Sequence, residues 1–308
     1  MKFCLVGEGA QGQTYMEAIS EIGNVEVVSL AGGLAEKTAA FASQWGIPYH
    51  SLDLDDALGQ PGIEAAIIGS PSQIHAAQAE TALAMGKHVL LEIPMALNIA
   101  DAQNLAMLEA KTGLTCMVAH TQRFSTVYSE VRRRVTAGEL HLHHIVFEIY
   151  FFRRKYTNRF GEPRTWTDSL LWHHACHYVD TIYALFREPD MEVWGQVGPN
   201  HLELGVPMDL TIGMRSRSGC LVTGAVSFNN HGSIHYDMRF IGEETTLNAL
   251  SKDGALYDHD GNVLAQEQSV GRFEKQCREF FEAIEAGRKP LTRFEECLPV
   301  MATLDRLQ

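Results

Sequence analysis

The chain has 308 residues, 45% of them hydrophobic, and a formal charge of −13. That length has room for two domains, and the negative balance, read as an ordinary solvated surface, argues against nucleic acid as a partner. The six cysteines, Cys4, Cys116, Cys176, Cys220, Cys277 and Cys297, form no C-x-x-C pair; together with an N-terminus that begins directly on a strand, they point to reduced thiols in a cytoplasmic protein without a leader. No apolar run approaches the ~18 residues of a membrane span, so no membrane association is expected.

Met1–Val6 reads as a strand that runs straight into Gly7-Glu8-Gly9-Ala10-Gln11-Gly12, with a helical pattern over Gln13–Ile22. A G-x-G-x-x-G string placed between a strand and a helix marks a dinucleotide site. The first glycine permits the tight turn, the second lets backbone approach a pyrophosphate, and the third lets helix and strand pack closely. The helix N-terminus offers N–H groups to the phosphates. A purely structural glycine turn is the competing reading. Glu8 stands out, because a carboxylate here disfavours phosphate unless its side chain points to solvent.

Val25–Leu30 is the second strand and Ala35–Trp45 a helix. Between them, Gly32 and Gly33 carry no acid to bind ribose hydroxyls, which removes repulsion against a 2′-phosphate. The arginine that would hold such a phosphate is also missing, and only Lys37 is near. Strand and helix then alternate through Ala65–Gly69, Ile74–Met85, Val89–Leu91, Ile99–Lys111 and Thr115–Val118. This alternation predicts a doubly wound parallel sheet whose ligands sit at the strands' C-terminal ends. Two segments fall at such ends. Ser70-Pro71-Ser72-Gln73-Ile74-His75 makes a turn, with Ser72 also suited to capping a helix. Glu92-Ile93-Pro94 follows, with Glu92 either at the nicotinamide ribose or an exposed loop residue.

The texture changes after about residue 120. Val127–Ala137 is helical, and period-2 segments follow at Ile145–Phe152, Val193–Val197, Asp209–Met214, Cys220–Phe228 and His235–Ile241. They predict a second domain with a largely antiparallel sheet, an α/β domain from 121 onward that ends in helices over Phe273–Gly287 and Phe294–Leu307. At the junction, Arg123 either pairs with a substrate carboxylate or braces the two domains.

The densest constellation is Trp166-Thr167-Asp168-Ser169-Leu170-Leu171-Trp172-His173-His174-Ala175-Cys176-His177-Tyr178-Val179-Asp180. On an α-helix His173 and His177 share a face, and Asp180 lies three residues beyond. Histidine suits proton transfer near neutral pH, so one well-placed histidine of His173, His174 and His177 can take a hydroxyl proton, with a neighbouring acid such as Asp180 fixing its tautomer. A zinc half-site and a structural histidine cluster are the rivals; no third metal ligand is identifiable, and no metal is expected. His141, His143 and His144 read as an exposed strand start.

In this order the glycine turn, the SPSQIH turn, EIP, the H-x-x-R-F turn and the helix ending HYVD resemble the Gfo/Idh/MocA oxidoreductase family, over nearly the whole chain. The resemblance implies a Rossmann domain (1–120) and an open-faced α/β substrate domain (121–308); an open sheet face must be covered, and a homodimer is the usual solution. It also implies a cofactor site of Gly7, Gly9, Ala10, Gln11, Gly12, Gly32, Gly33, Lys37, Ser70, Pro71, His75, Glu92 and Pro94. Sugar and polyol members usually carry E-K-P where this chain has Ile93, and an aspartate where it has His173. The segments YFFRR, RTWTD, LLWHHA and SFNN are similar to a branch that oxidises a small carboxylated cyclic hemiacetal, and that branch implies NADP, with NAD possible. On that resemblance His177 is the candidate base, with His173 or His174 orienting the substrate, and Arg123, Arg153, Arg154, Arg164, Trp166 and Trp172 are the candidate substrate residues. A sugar or polyol dehydrogenase and a non-catalytic NADP-binding regulator of the same fold are the alternatives.

Overall fold

The computed structural model describes residues 1–158, 161–164, 166–268 and 271–308. Thr165, within the RTWTD string, lies outside them. The first part of the chain runs β1 (Lys2–Val6), α1 (Ala10–Ile19), β2 (Glu26–Ala31), α2 (Ala35–Trp45), β3 (Tyr49–Ser51), α3 (Leu54–Leu58), β4 (Ile63–Ile68), α4 (His75–Ala84), β5 (His88–Leu91), α5 (Ile99–Thr112) and β6 (Cys116–Val118). These strands form a six-stranded sheet ordered β3-β2-β1-β4-β5-β6, with every pair parallel. Strand order reverses at β1, which creates the crevice at the strands' C-terminal ends. Parallel strands are covered on both faces, and Leu5, Ile67 and Leu90 are fully buried.

The second part runs α6 (Thr126–Thr136), β7 (Leu142–Tyr150), α7 (Cys176–Phe186), β8 (Glu192–Val197), β9 (Asp209–Arg215), β10 (Leu221–Ser227), β11 (His235–Gly242), β12 (Thr246–Leu250), β13 (Ala255–Tyr257), β14 (Val263–Gln266), α8 (Arg272–Glu285) and α9 (Phe294–Leu307). Its eight-stranded sheet is ordered β14-β13-β12-β11-β7-β10-β9-β8. Pairing is antiparallel except between β7 and β10. Alternation sends Ile145, Phe147 and Ile149 of β7 into the core at 0% exposure, while the residues between them remain partly exposed.

The fold is thus a Rossmann-type parallel sheet followed by a second, mostly antiparallel α/β sheet. Differences from the sequence reading are local. Helix α1 begins at Ala10, inside the glycine turn, three residues earlier than its apolar pattern suggests. The elements β3, α3 and β12–β14 span only three to five residues each, too few for a period to emerge.

By contact density the chain forms two discontinuous units. One comprises Met1–His120, Thr157–Trp166 and Val270–Met301; the other comprises Thr121–Tyr156, Thr167–Ser269 and Ala302–Gln308. A single division at residue 120 would assign all later residues to the second domain, whereas 157–166 and most of the C-terminal helical segment group with the first. The reason lies in α8, which buries Cys277, Phe280 and Phe281 on one face. The Phe281 ring stands 5.3 Å from that of Phe3 in β1, and Phe273 meets Tyr15 of α1 edge-on at 6.0 Å. Burying one such side chain stabilises by roughly 1.5–3 kcal/mol.

Candidate active site

The nucleotide side is built around Gly7, which adopts φ +109°. A Cβ there would lie 2.9 Å from the Gly69 carbonyl group, and one on Gly12 would lie 2.1 Å from the Gly7 oxygen. Neither position tolerates a side chain, so β1, α1 and the end of β4 close up around the turn. A Cβ on Gly9 would meet nothing within 4 Å. Gly9 also starts α1 without a capping side chain, and it lines an open cleft of about 660 Å³ with Ala10 and Glu8. Open backbone at a helix N-terminus suits a pyrophosphate. The turn therefore fits a dinucleotide: Gly7 and Gly12 close the turn, and the open backbone at Gly9 and Ala10 is where a pyrophosphate would lie.

Glu8 does not point to solvent. Its carboxylate accepts hydrogen bonds from the backbone N–H groups of Gly33 (3.0 and 3.1 Å to its two oxygens) and Leu34 (3.0 Å). Leu34 is the N-cap of α2 and has no capping oxygen of its own, so Glu8 supplies the missing acceptor from another loop. Lys37 is ion-paired with Glu162 at 2.9 Å, both side chains about half exposed.

At the ends of β4 and β5 the candidates are tied to one another. His75 Nδ1 lies 2.8 Å from the Pro94 carbonyl and Nε2 lies 2.8 Å from that of Ser70. Burial holds this imidazole below its usual pKa; the neutral ring donates to only one of the two carbonyls. Ile93–Pro94 is a cis peptide. Glu92 is buried and turned inward: it accepts from Gln11 Nε2 (2.6 Å), the Tyr15 hydroxyl (2.7 Å) and the Ile93 N–H (3.0 Å). Burial pushes its carboxyl up to about 7, against the opposing effect of these donors. Burial, reinforced by Glu92, also raises Tyr15 well above its ordinary range, so the phenol stays a donor.

The histidine constellation is not one regular helix. Leu170–Ala175 form a π-helical turn capped by the Ser169 hydroxyl, and the Cys176 N–H bonds to the Leu171 carbonyl five residues back. Such turns re-aim side chains and recur at functional sites. Here the turn gathers its histidines around Asp168, which is 1% exposed. His174 Nε2 lies 3.0 Å from its carboxylate and His173 Nδ1 3.8 Å from it. Arg153 forms an ion pair with the same group. His173 Nδ1 accepts the Ser169 backbone N–H at 2.9 Å, which places the proton of the neutral ring on Nε2. His177 is half-buried in the first turn of α7, where its carbonyl accepts from the Thr181 hydroxyl at 2.8 Å.

Asp180, expected beside His177, is fully buried and takes a two-pronged pair from Arg123, at 2.7 Å to Nε and 2.8 Å to Nη2. Arg123 is thereby spent within its own unit, on a brace rather than on an incoming anion. Trp172 packs in the core at 5% exposure. Arg153 lies over the Phe151 and Phe228 rings at 5.2 and 4.9 Å. Arg164 stacks on Trp166 at 4.7 Å. Arg154 donates to the Arg153 and Phe228 carbonyls and to the Asn229 side-chain oxygen (2.7, 3.2 and 2.8 Å), all neutral groups. His141 and His143 pair separately with Glu244 and Glu243, and His144 with Thr223. Sequence reasoning passes over Asp168 as a partner, although an acid six residues before His174 is a usable signal. Tyr15, the partner of Glu92, carries no such signal.

Residues 1–120 match the model of the oxidoreductase family with an NAD-binding Rossmann fold, and residues 126–266 match that of the C-terminal part of bacterial oxidoreductases. The chain belongs to the Gfo/Idh/MocA oxidoreductase family and is a nicotinamide-dependent dehydrogenase acting on CH–OH donors. It is 37% identical, over 99% of its length and 98% of the relative's, to 4-carboxy-2-hydroxymuconate-6-semialdehyde dehydrogenase of Sphingobium sp. (strain NBRC 103272 / SYK-6). Among solved structures it resembles UDP-N-acetylglucosamine 3-dehydrogenase GnnA from Acidithiobacillus ferrooxidans (TM-score 0.86, 18% identity, 100% of this chain and 96% of that one). It also resembles scyllo-inositol dehydrogenase from Lactobacillus casei with bound NAD(H) and scyllo-inositol (TM-score 0.83, 19% identity, 100% and 96%).

Proposed function

We propose that the chain oxidises the cyclic hemiacetal of 4-carboxy-2-hydroxymuconate-6-semialdehyde to the lactone 2-pyrone-4,6-dicarboxylate. The observation that supports this most is the cluster at the π turn, where His173, His174, Asp168 and Arg153 are brought together from the LLWHHA, RTWTD and YFFRR segments that liken the chain to the carboxylated-hemiacetal branch. The 37% identical relative named for that semialdehyde agrees.

The nicotinamide, when bound, accepts the hydride. The chain's own residues then have to hold a carboxylated lactol and take one proton. His177 is the base that receives the lactol hydroxyl proton as the C–H bond is broken and the carbonyl forms. A lactol hydroxyl is more acidic than a sugar hydroxyl, so the reaction does without the lysine that Ile93 replaces. His173 offers Nε2–H as a donor to the substrate. Arg154, bonded to neutral oxygens, keeps its positive charge for a substrate carboxylate, and Arg164 is the second candidate. Gly32, Gly33, Ser70, Pro71 and Pro94 complete the nucleotide side. The active protein is a cytoplasmic homodimer.

Reduction of nicotinamide nucleotide on adding the cyclised semialdehyde, with glucose and myo-inositol as controls, tests the reading. Turnover on the semialdehyde alone is expected. His177→Asn should lower kcat by about 10²–10⁴ while the affinity for reduced nicotinamide nucleotide is retained. Equal turnover on a sugar, or an unchanged kcat in the variant, would overturn the substrate or the base respectively.

A further inference from the structure

We propose that Glu8 is the residue that reads the 2′ position of the adenosine ribose, and that it makes the enzyme prefer NAD over NADP. The inference deepens the dehydrogenase reading above and rests on it. In a dinucleotide site of this type, the ribose 2′ position meets the end of the second strand. An acid there hydrogen-bonds the free 2′-hydroxyl, or an arginine accommodates the 2′-phosphate. β2 ends at Ala31 and is followed by Gly32 and Gly33, neither of which supplies either group. The acid arrives from elsewhere. The Glu8 carboxylate, carried on the glycine turn after β1, sits on the Gly33 and Leu34 N–H groups at 3.0 Å. It therefore stands in space where the β2 acid of an NAD site stands, although it lies some two dozen residues upstream of that position in sequence.

Two consequences follow from that position. The N–H groups that lead into α2 are natural donors to a 2′-phosphate, and Glu8 already occupies those of Gly33 and Leu34. A phosphate arriving there would have to displace a carboxylate that caps a helix, or sit against it. A ribose hydroxyl faces no such conflict and can donate to the carboxylate's remaining lone pairs. The surroundings add to the bias. The cleft is lined by Glu8, Glu17 and Glu162, and among the described residues lining it there is no lysine or arginine. Lys37, the nearby cation, is held by Glu162. This reverses the NADP expectation drawn from the missing β2 acid.

The test is direct binding of NADH and NADPH, followed by the fluorescence of the reduced nicotinamide and so independent of any substrate. The parent protein is expected to bind NADH at least about tenfold more tightly than NADPH. Glu8→Gln removes the charge and keeps an acceptor of the same shape. It should lower the ratio of the two dissociation constants about tenfold, chiefly by tightening NADPH, as removal of one like-charge contact predicts. Glu8→Ala should shift the ratio the same way, and Glu8→Gln serves as the control should the loss of the α2 cap unfold that variant. A parent that binds NADPH as tightly as NADH, or a ratio unmoved in Glu8→Gln, would overturn the proposal. Binding of neither nucleotide would overturn the dehydrogenase reading itself, and the proposal with it.

Discussion

Glu92 shows how one buried carboxyl couples the nucleotide turn to pH. Its folded-state pKa, about 7, lies above that of an exposed carboxyl because burial penalises the charge. The folded protein therefore holds this proton between about pH 4.5 and 7, where the unfolded chain has lost it, and stability falls as pH rises through that window. The loss is on the order of 3 kcal/mol. Thermal melts of the parent and of Glu92→Gln from pH 5 to 8 check this: the variant, neutral throughout, should gain on the parent as pH rises. Parallel curves would show that the folded protein does not retain the proton. Residues of this kind are only half legible in a sequence. EIP at a strand end marks Glu92 as notable, but its direction, inward to Tyr15 rather than outward to a ligand, depends on a residue 77 positions away. Glu8 is legible as an anomaly, and only its hydrogen bonds to Gly33 and Leu34 turn the anomaly into a role.

At the level of elements, α7 is anchored by the Arg123–Asp180 pair, with the two side chains 12% and 0% exposed. Removing one partner of a buried pair leaves a desolvated charge, which typically costs about 3–5 kcal/mol, whereas replacing both by apolar groups of similar volume costs far less. Arg123→Met should therefore lower stability by about that amount in a denaturant titration. Adding Asp180→Leu should recover most of it; a double variant as weak as the single one would mean the pair contributes more than mutual neutralisation. Regular elements could be read from the chain because periodicity records burial on one face, as with the alternating β7 and the amphipathic α8. The π turn could not. Nothing in LLWHHA distinguishes five-residue from four-residue hydrogen bonding, so the shared face expected for His173 and His177 came from assuming a regular helix; Asp180 does lie with His177 on the regular α7, and what the sequence hides is that Arg123 takes it.

For the whole molecule, the larger sheet has one covered face and one that is partly exposed. On that second face β10 presents Thr223 and leaves Leu221 44% exposed, and the edge strand β8 leaves Trp194 50% exposed. Exposed apolar residues on a sheet edge are a liability that self-association resolves. Sedimentation equilibrium should give a mass near twice 34.2 kDa; a monomer at micromolar concentration would overturn the homodimer. The alternation of strand and helix made both sheets legible, but not the discontinuity of the two units, because no sequence pattern says which core an amphipathic helix will cover. The place of α8 has a consequence for how the protein is made. The first 120 residues leave the ribosome with the faces of Phe3 and Tyr15 uncovered, and the helix that seals them is synthesised about 150 residues later. During that interval the nascent nucleotide domain is incomplete and carries an apolar face that chaperones can hold. A gene cut after residue 120 would therefore encode a sticky fragment rather than a free-standing nucleotide module, so the two halves of this enzyme are not interchangeable cassettes.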